Sequence, residues 1–132
     1  MSSYTDAASI TTRSPEEVFE DHLRLRVTGK VEEDLRRNYA EDVVLLTINS
    51  NVRGHDAIRM SARRLRDQLP DGRFEFLSKQ VNGPYALLIW QGQSSRFNAM
   101  KGADSFVIRD GKIQFQANYY RLDHPLPLNS LL

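Results

Sequence analysis

The period of the apolar residues changes once along this chain, at about Arg73, and that change limits what it can fold into. Before it, apolar side chains recur at helical spacing, interrupted by one β-branched run. After it they alternate or run on between turn dipeptides, of which Asn82-Gly83 and Asp110-Gly111 are strong hairpin signals. Helices followed by a meander of strands define an α+β domain. At 132 residues the chain has room for one such domain and little else. We place it at residues 14–122, after a flexible, polar segment 1–13 and before a tail 123–132 that is expected to pack on the domain.

Ser14-Pro15-Glu16-Glu17 predicts the first helix, with Ser14 as cap, Pro15 in the first turn and Glu17 closing a capping box. Val18, Phe19, His22, Leu23 and Val27 follow at helical spacing, and Gly29 is the expected stop. A second helix is expected from Val31 to Tyr39, its outer face carrying Glu32 with Arg36 and Glu33 with Arg37. Val43 to Ile48 reads as a strand, and Arg53-Gly54-His55-Asp56 opens a third helix with a buried stripe of Ile58, Ala62, Leu65 and Leu69. Arg59, Arg63, Arg64 and Arg66 crowd its other side, read as a solvated surface rather than an anion-binding patch. Strands are expected from Arg73, over Tyr85–Gln91, over Asp104–Arg109 and over Lys112–Leu122, with a loose turn at 98–102.

Lys+Arg 18 against Asp+Glu 17 gives a net charge of +1, too small a basic excess for nucleic acid to be the expected partner. The absence of cysteine excludes disulfides and thiolate metal sites, and His22, His55 and His124 stand too far apart for metal-ligand spacing. Neither phosphate-binding glycine loops nor a nucleophile elbow occurs, so no cofactor is expected. No apolar run reaches the ~20 residues of a membrane span, and the first residues lack the apolar core of a secretory signal; a cytoplasmic location without membrane contact is expected.

Three segments carry a resemblance: Asn38-Tyr39-Ala40-Glu41-Asp42-Val43-Val44, Arg53-Gly54-His55-Asp56-Ala57-Ile58, and Asp104-Ser105-Phe106-Val107-Ile108-Arg109-Asp110-Gly111-Lys112-Ile113. In order and spacing they resemble the nuclear transport factor 2-like superfamily, above all its SnoaL-like branch, over about Ser14 to Leu122. The resemblance implies a cone-like, curved antiparallel sheet with three helices enclosing a pocket. It also implies a homodimer through the outer sheet face. It does not select a function, because the superfamily holds enzymes and binding modules alike. Ketosteroid isomerase, a relative within it, uses a carboxylate base, a tyrosine and a protonated aspartate. The resemblance aligns His22 with that tyrosine, Asp104 with the acid and Thr47 with the base. Threonine cannot abstract a carbon-bound proton at neutral pH, so steroid isomerisation is not expected.

His22 and Asp104 are therefore the candidate catalytic residues, facing one cavity. If they touch, Asp104 fixes the ring and the free nitrogen serves as general base. A histidine on an apolar helix face is also commonly a satisfied core residue, and that reading stands beside the first. Alternation on the last strand puts Gln114, Gln116, Asn118 and Tyr120 on one face and Ile113, Phe115, Ala117 and Tyr119 on the other. Gln116, Asn118 and Tyr120, with Thr47 and Asn49 from the first strand and Tyr39 closing the pocket, are the expected substrate-binding shell. Trp90 is expected in the core or an interface rather than as a ligand platform. The expectation is a small-molecule pocket protein, with cofactor-free acid–base chemistry of isomerase, cyclase or hydratase type. The alternative is a non-catalytic dimeric binding or interaction module.

Overall fold

The computed structural model describes residues 12–125. The expectations for segment 1–11 and for the end of the tail, 126–132, lie outside the described residues. The fold has three helices, α1 (Pro15–Val27), α2 (Val31–Asn38) and α3 (His55–Gln68). Six strands complete it: β1 (Tyr39–Thr47), β2 (Asn51–Arg53), β3 (Arg73–Asn82), β4 (Tyr85–Gln93), β5 (Asn98–Arg109) and β6 (Lys112–Asp123). They form one curved, open sheet in the order β2-β1-β6-β5-β4-β3, the cone-like α+β architecture expected.

The sheet is mixed. The meander β3 to β6 is antiparallel, but β1 runs parallel to β6, with Leu45 opposite Gln116 and Thr47 opposite Asn118. The parallel pair corrects the expectation of a wholly antiparallel sheet: β2, α3 and the strands β3 to β5 separate β1 from β6, so no local turn signal sets their relative direction. The expected second helix ends one residue early, and Tyr39 instead begins β1 as a buried strand residue.

Local chemistry sets the ends of α1. Ser14 Oγ accepts from Glu17 N at 3.1 Å while Glu17 Oε1 accepts from Ser14 N at 2.9 Å, the reciprocal capping box. Gly29, at φ 74, turns the chain out of the helix, and Lys30 N donates to Leu25 O. Val18, Phe19, Leu23 and Leu25 are buried on the inner face, with Phe19 edge-on to Phe106 of β5. On α2, Glu33 pairs with Arg37 as expected, but Glu32 turns away from Arg36 and pairs with Arg59 of α3 at 2.8 Å.

Both hairpins form. Asp110 and Gly111 have positive φ, the mark of a type I′ turn. At the other, Asn82 pairs with Tyr85, so the two connecting residues are Gly83 and Pro84. Gly83 takes the positive φ of 58 and the proline ring fixes the next residue, which suits a type II′ turn. The loose turn expected at 98–102 is instead strand: β5 begins at Asn98, and the ladder to β6 is broken between Met100 and Ala103. Gly102 lies under the indole of Trp90, where a Cβ would stand 2.3 Å from Trp90 Cε2, so only glycine admits that ring.

A second irregularity corrects the reading of β6. Ile113 pairs with Ile108 but Phe115 pairs with Val107, which leaves Gln114 as an extra, bulged residue. The bulge flips the parity. Ile113 joins the buried core instead of the outer face, and Gln114 leaves the cavity side to hydrogen-bond Arg109 O. Beyond the bulge, Gln116, Asn118 and Tyr120 share the inner face as expected.

Candidate functional site

Between α1, α3 and the concave face of the sheet lies a cavity of about 470 Å³. His22 and Arg26 line it from α1, Ser61 and Ala62 from α3, and Leu88, Trp90, Asp104, Gln116 and Asn118 from the sheet. Four of the expected site residues thus meet in one wall: His22, Asp104, Gln116 and Asn118. Four do not line it. Tyr39 is buried behind Gln116, and Tyr120 stacks near Trp90 and donates to Gln68 Oε1. Thr47 Oγ1 accepts from Asn49 N, and Asn49 lies exposed past the end of β1.

His22 is 3% exposed, and its partner is not Asp104 but Asp34 of α2. Nδ1 lies 2.8 Å from Asp34 Oδ2, and Asp34 is itself 0% exposed. The chain of donors is consistent: Asn38 Nδ2 donates to Asp34 Oδ1, and Arg13 Nη1 donates to Asn38 Oδ1. A carboxylate at Nδ1 assigns the ring proton to that nitrogen and leaves the Nε2 lone pair free. Among the described residues no hydrogen bond uses Nε2. No buried side-chain nitrogen or oxygen lacks a partner among the described residues, so Nε2 belongs to the cavity surface. The rings of Tyr39 and Phe106 stand edge-on to the imidazole at 5.6 and 5.3 Å and hold its plane.

Sequence reasoning missed Asp34 because Glu32-Glu33-Asp34 looks like a solvated acidic run. The available signal was its place on the inner stripe of α2 with Val31, Leu35 and Asn38, at spacings of three, four and seven. Arg26 was missed in the same way, although it follows His22 by one helical turn.

Asp104 is the centre of a second network. Trp90 Nε1 and Asn118 Nδ2 donate to Oδ1 at 2.8 and 2.7 Å, and Gln116 Nε2 donates to Oδ2 at 2.8 Å. Tyr39 orients that glutamine by donating from its hydroxyl to Gln116 Oε1. Burial, with the charge of Asp34 nearby, holds the Tyr39 phenol well above its ordinary value, so it is a permanent donor. Whether Asp104 touches His22, left open by the sequence, is answered: three of the carboxylate's four acceptor sites are taken by these N–H groups, and none by His22. The indole of Trp90 is likewise part of the cavity wall and not only of the core.

Burial pushes the Asp104 carboxyl above its ordinary value of 3.8, against the opposing pull of Trp90, Gln116 and Asn118. A group raised on folding stabilises the fold below its unfolded value and loses that contribution as pH rises through its folded one. Asp104→Asn is expected to fold, because the amides can reverse: the new amide donates to Gln116 Oε1 and Gln116 Nε2 donates to the Tyr39 hydroxyl. Urea unfolding at a series of pH values should show the wild type losing stability relative to Asp104→Asn as pH rises above 3.8. A difference independent of pH would contradict this assignment.

Residues 19–115 match the SnoaL-like domain family, and the chain belongs to that family. Among curated proteins no sequence match was found. Solved structures share the fold. A candidate ketosteroid isomerase from Kribbella flavida DSM 17836 superposes with a TM-score of 0.68 at 14% identity, over 88% of this chain and 85% of its own. An NTF2-like protein of unknown function from Cytophaga hutchinsonii ATCC 33406 gives 0.67 at 10% identity, over 84% and 93%. A candidate polyketide cyclase from Sinorhizobium meliloti gives 0.63 at 19% identity, over 78% and 94%. At these identities the likeness concerns the fold alone. Among the described residues no helix is long and apolar enough to cross a membrane, and no cluster of three His, Asp or Glu could hold a metal.

Proposed function

We propose that this SnoaL-like domain binds a modest organic molecule in the cavity and moves a proton on it through His22 Nε2, without a cofactor. The observation that carries the reading is the buried Asp34–His22 pair, which leaves a nitrogen lone pair for the cavity that the buried carboxylate of Asp104 also lines. Nε2 takes a proton from a C–H or O–H of the ligand, or for hydration from a water whose oxygen bonds to the ligand, and delivers it to another atom of the ligand. Asp34 holds the ring's orientation and offsets the charge it acquires. The free lone pair of Asp104 accepts from a ligand hydroxyl, while Asn118 and Trp90 fix the carboxylate. Isomerisation, cyclisation and hydration all fit this pattern. Thr47 stands where the related isomerase keeps its base, and it does not line the cavity, which speaks against steroid isomerisation.

A thermal-shift screen with metabolite-like compounds tests the reading on wild type, His22→Gln and Ser61→Trp, the last chosen to plug the mouth. A ligand at ~100 times its Kd should stabilise the wild type by about 2.7 kcal/mol, visible as several degrees. His22→Gln should keep binding and lose turnover, and Ser61→Trp should lose both. Hits that ignore Ser61→Trp would place the ligand elsewhere and sink the proposal.

The non-catalytic alternative retains one supporting feature, the outer sheet face. Leu46, Ala117, Ser105 and Leu87 form one row across four strands, and Val44, Phe115, Val107 and Tyr85 form the next. Leu87 is 37% and Tyr85 59% exposed, a continuous apolar surface that suits a second copy of this chain. Sedimentation equilibrium should find a dimer that Leu87→Lys converts to monomer; a monomeric wild type would remove this partner. A dimer is compatible with either reading, and only turnover separates them.

A further inference from the structure

The cavity wall carries more cation than the acid–base chemistry uses. Arg26 stands one helical turn beyond His22 on the same face of α1, half-buried and lining the cavity. Arg59, Arg63 and Arg66 line it from α3, the helix across from it. Among the described residues only Arg59 of these has carboxylate partners, Glu32 and Asp56. The remaining acids give little compensation. Glu32 is committed to Arg59, and Asp104 already accepts from three donors. Three guanidinium groups without a carboxylate partner among the described residues therefore line a cavity with one lining carboxylate still unpaired among them, Asp71. Arg24 of α1 and Arg37 of α2 both pair with Asp21, whereas Arg36 has no acid partner among the described residues.

A partly desolvated guanidinium is costly without an acceptor, and its planar fork matches a two-oxygen anion. The polar group that acts with Arg26 is the Tyr39 phenol, a single neutral oxygen rather than a two-oxygen anion. We propose that the ligand of this cavity carries an oxyanion, such as a carboxylate or sulfonate, seated on Arg26, with Arg63 and Arg66 drawing it in at the mouth. This rests on the cavity being a ligand site, and it narrows the ligand to an anionic organic molecule whose reacting atom lies beside His22.

Two fluorescent probes separate the anion from the apolar body. 1-Anilinonaphthalene-8-sulfonate carries the sulfonate, and N-phenyl-1-naphthylamine is the same frame without it. In titrations of the full chain, Arg26→Gln should weaken the sulfonate probe at least about tenfold, as expected for losing a charge-assisted contact, and change the neutral probe less than about twofold. Arg63→Gln should act in the same direction and more weakly, because Arg63 is exposed. Ser61→Trp should abolish both. Neutral-probe binding that Ser61→Trp blocks, together with sulfonate binding indifferent to Arg26→Gln, would overturn the anion while leaving the cavity as a ligand site. Probe binding that Ser61→Trp leaves intact, or no binding of either probe, would overturn the ligand site and this inference with it.

Discussion

Asp34→Ala is expected to lower the stability of the domain by about 3–5 kcal/mol, the cost of breaking a fully buried ionisable pair. The carboxylate receives Asn38 as well as His22, and Asn38 in turn receives Arg13, so one deletion unties contacts between α1, α2 and the segment ahead of α1. Neither partner can turn to water. His22 is 3% and Asn38 0% exposed. Asp34→Asn should fall between, because one amide oxygen can still accept while the amide nitrogen meets a donor. Urea unfolding monitored by circular dichroism measures both, and an Asp34→Ala loss below about 1 kcal/mol would mean the pair contributes little beyond an ordinary hydrogen bond.

Gly102→Ala should cost about 1–3 kcal/mol, the range for forcing extra volume into a packed interior. The new methyl would stand 2.3 Å from Trp90 Cε2 and 2.5 Å from Cδ2, and the ring is boxed in by Phe74 and Tyr120 at 5.8 and 5.4 Å. Relief requires the indole to tilt, which draws its N–H off Asp104. The effect therefore reaches the cavity, and the emission of the single tryptophan should shift along with the unfolding midpoint. Trp90→Leu in the same chain should remove most of the Gly102→Ala penalty. Additive losses in the double variant would show that the two positions do not couple.

These two positions also mark what the sequence could and could not disclose. The capping box at Ser14, the stop at Gly29 and both hairpins depend on residues a few places apart, so local chemistry announced them. The inward parity of Gln116 and Asn118 was legible because alternation holds on that side of the bulge. Ile113 and Gln114 were misplaced because a single extra residue, accommodated against β5, reverses the faces without any mark in the pattern. Gly102 looked like a turn glycine, and its reason is a ring twelve residues upstream in the neighbouring strand, as the Trp90–Gly102 register shows. The site divided in the same way. His22 and Asp104 were identifiable as polar residues in apolar settings. Their partners were not, because the choice of Asp34 over Asp104 depends on how α2 lies against α1. The charge on α3 was read as a solvated face, and the packing of α3 over the mouth of the sheet turns part of it toward the cavity.

Asp34 holds the ring of His22 so that Nε2 presents its lone pair to the cavity. Long-range proton–nitrogen correlation spectra of the histidine rings test it, recorded at about pH 9, above the ordinary imidazole range. The account predicts that His22 shows a protonated Nδ1 with a slowly exchanging proton and an unprotonated Nε2, and that this signature is lost in Asp34→Asn. A ring protonated at Nε2, unchanged by that substitution, would contradict the account.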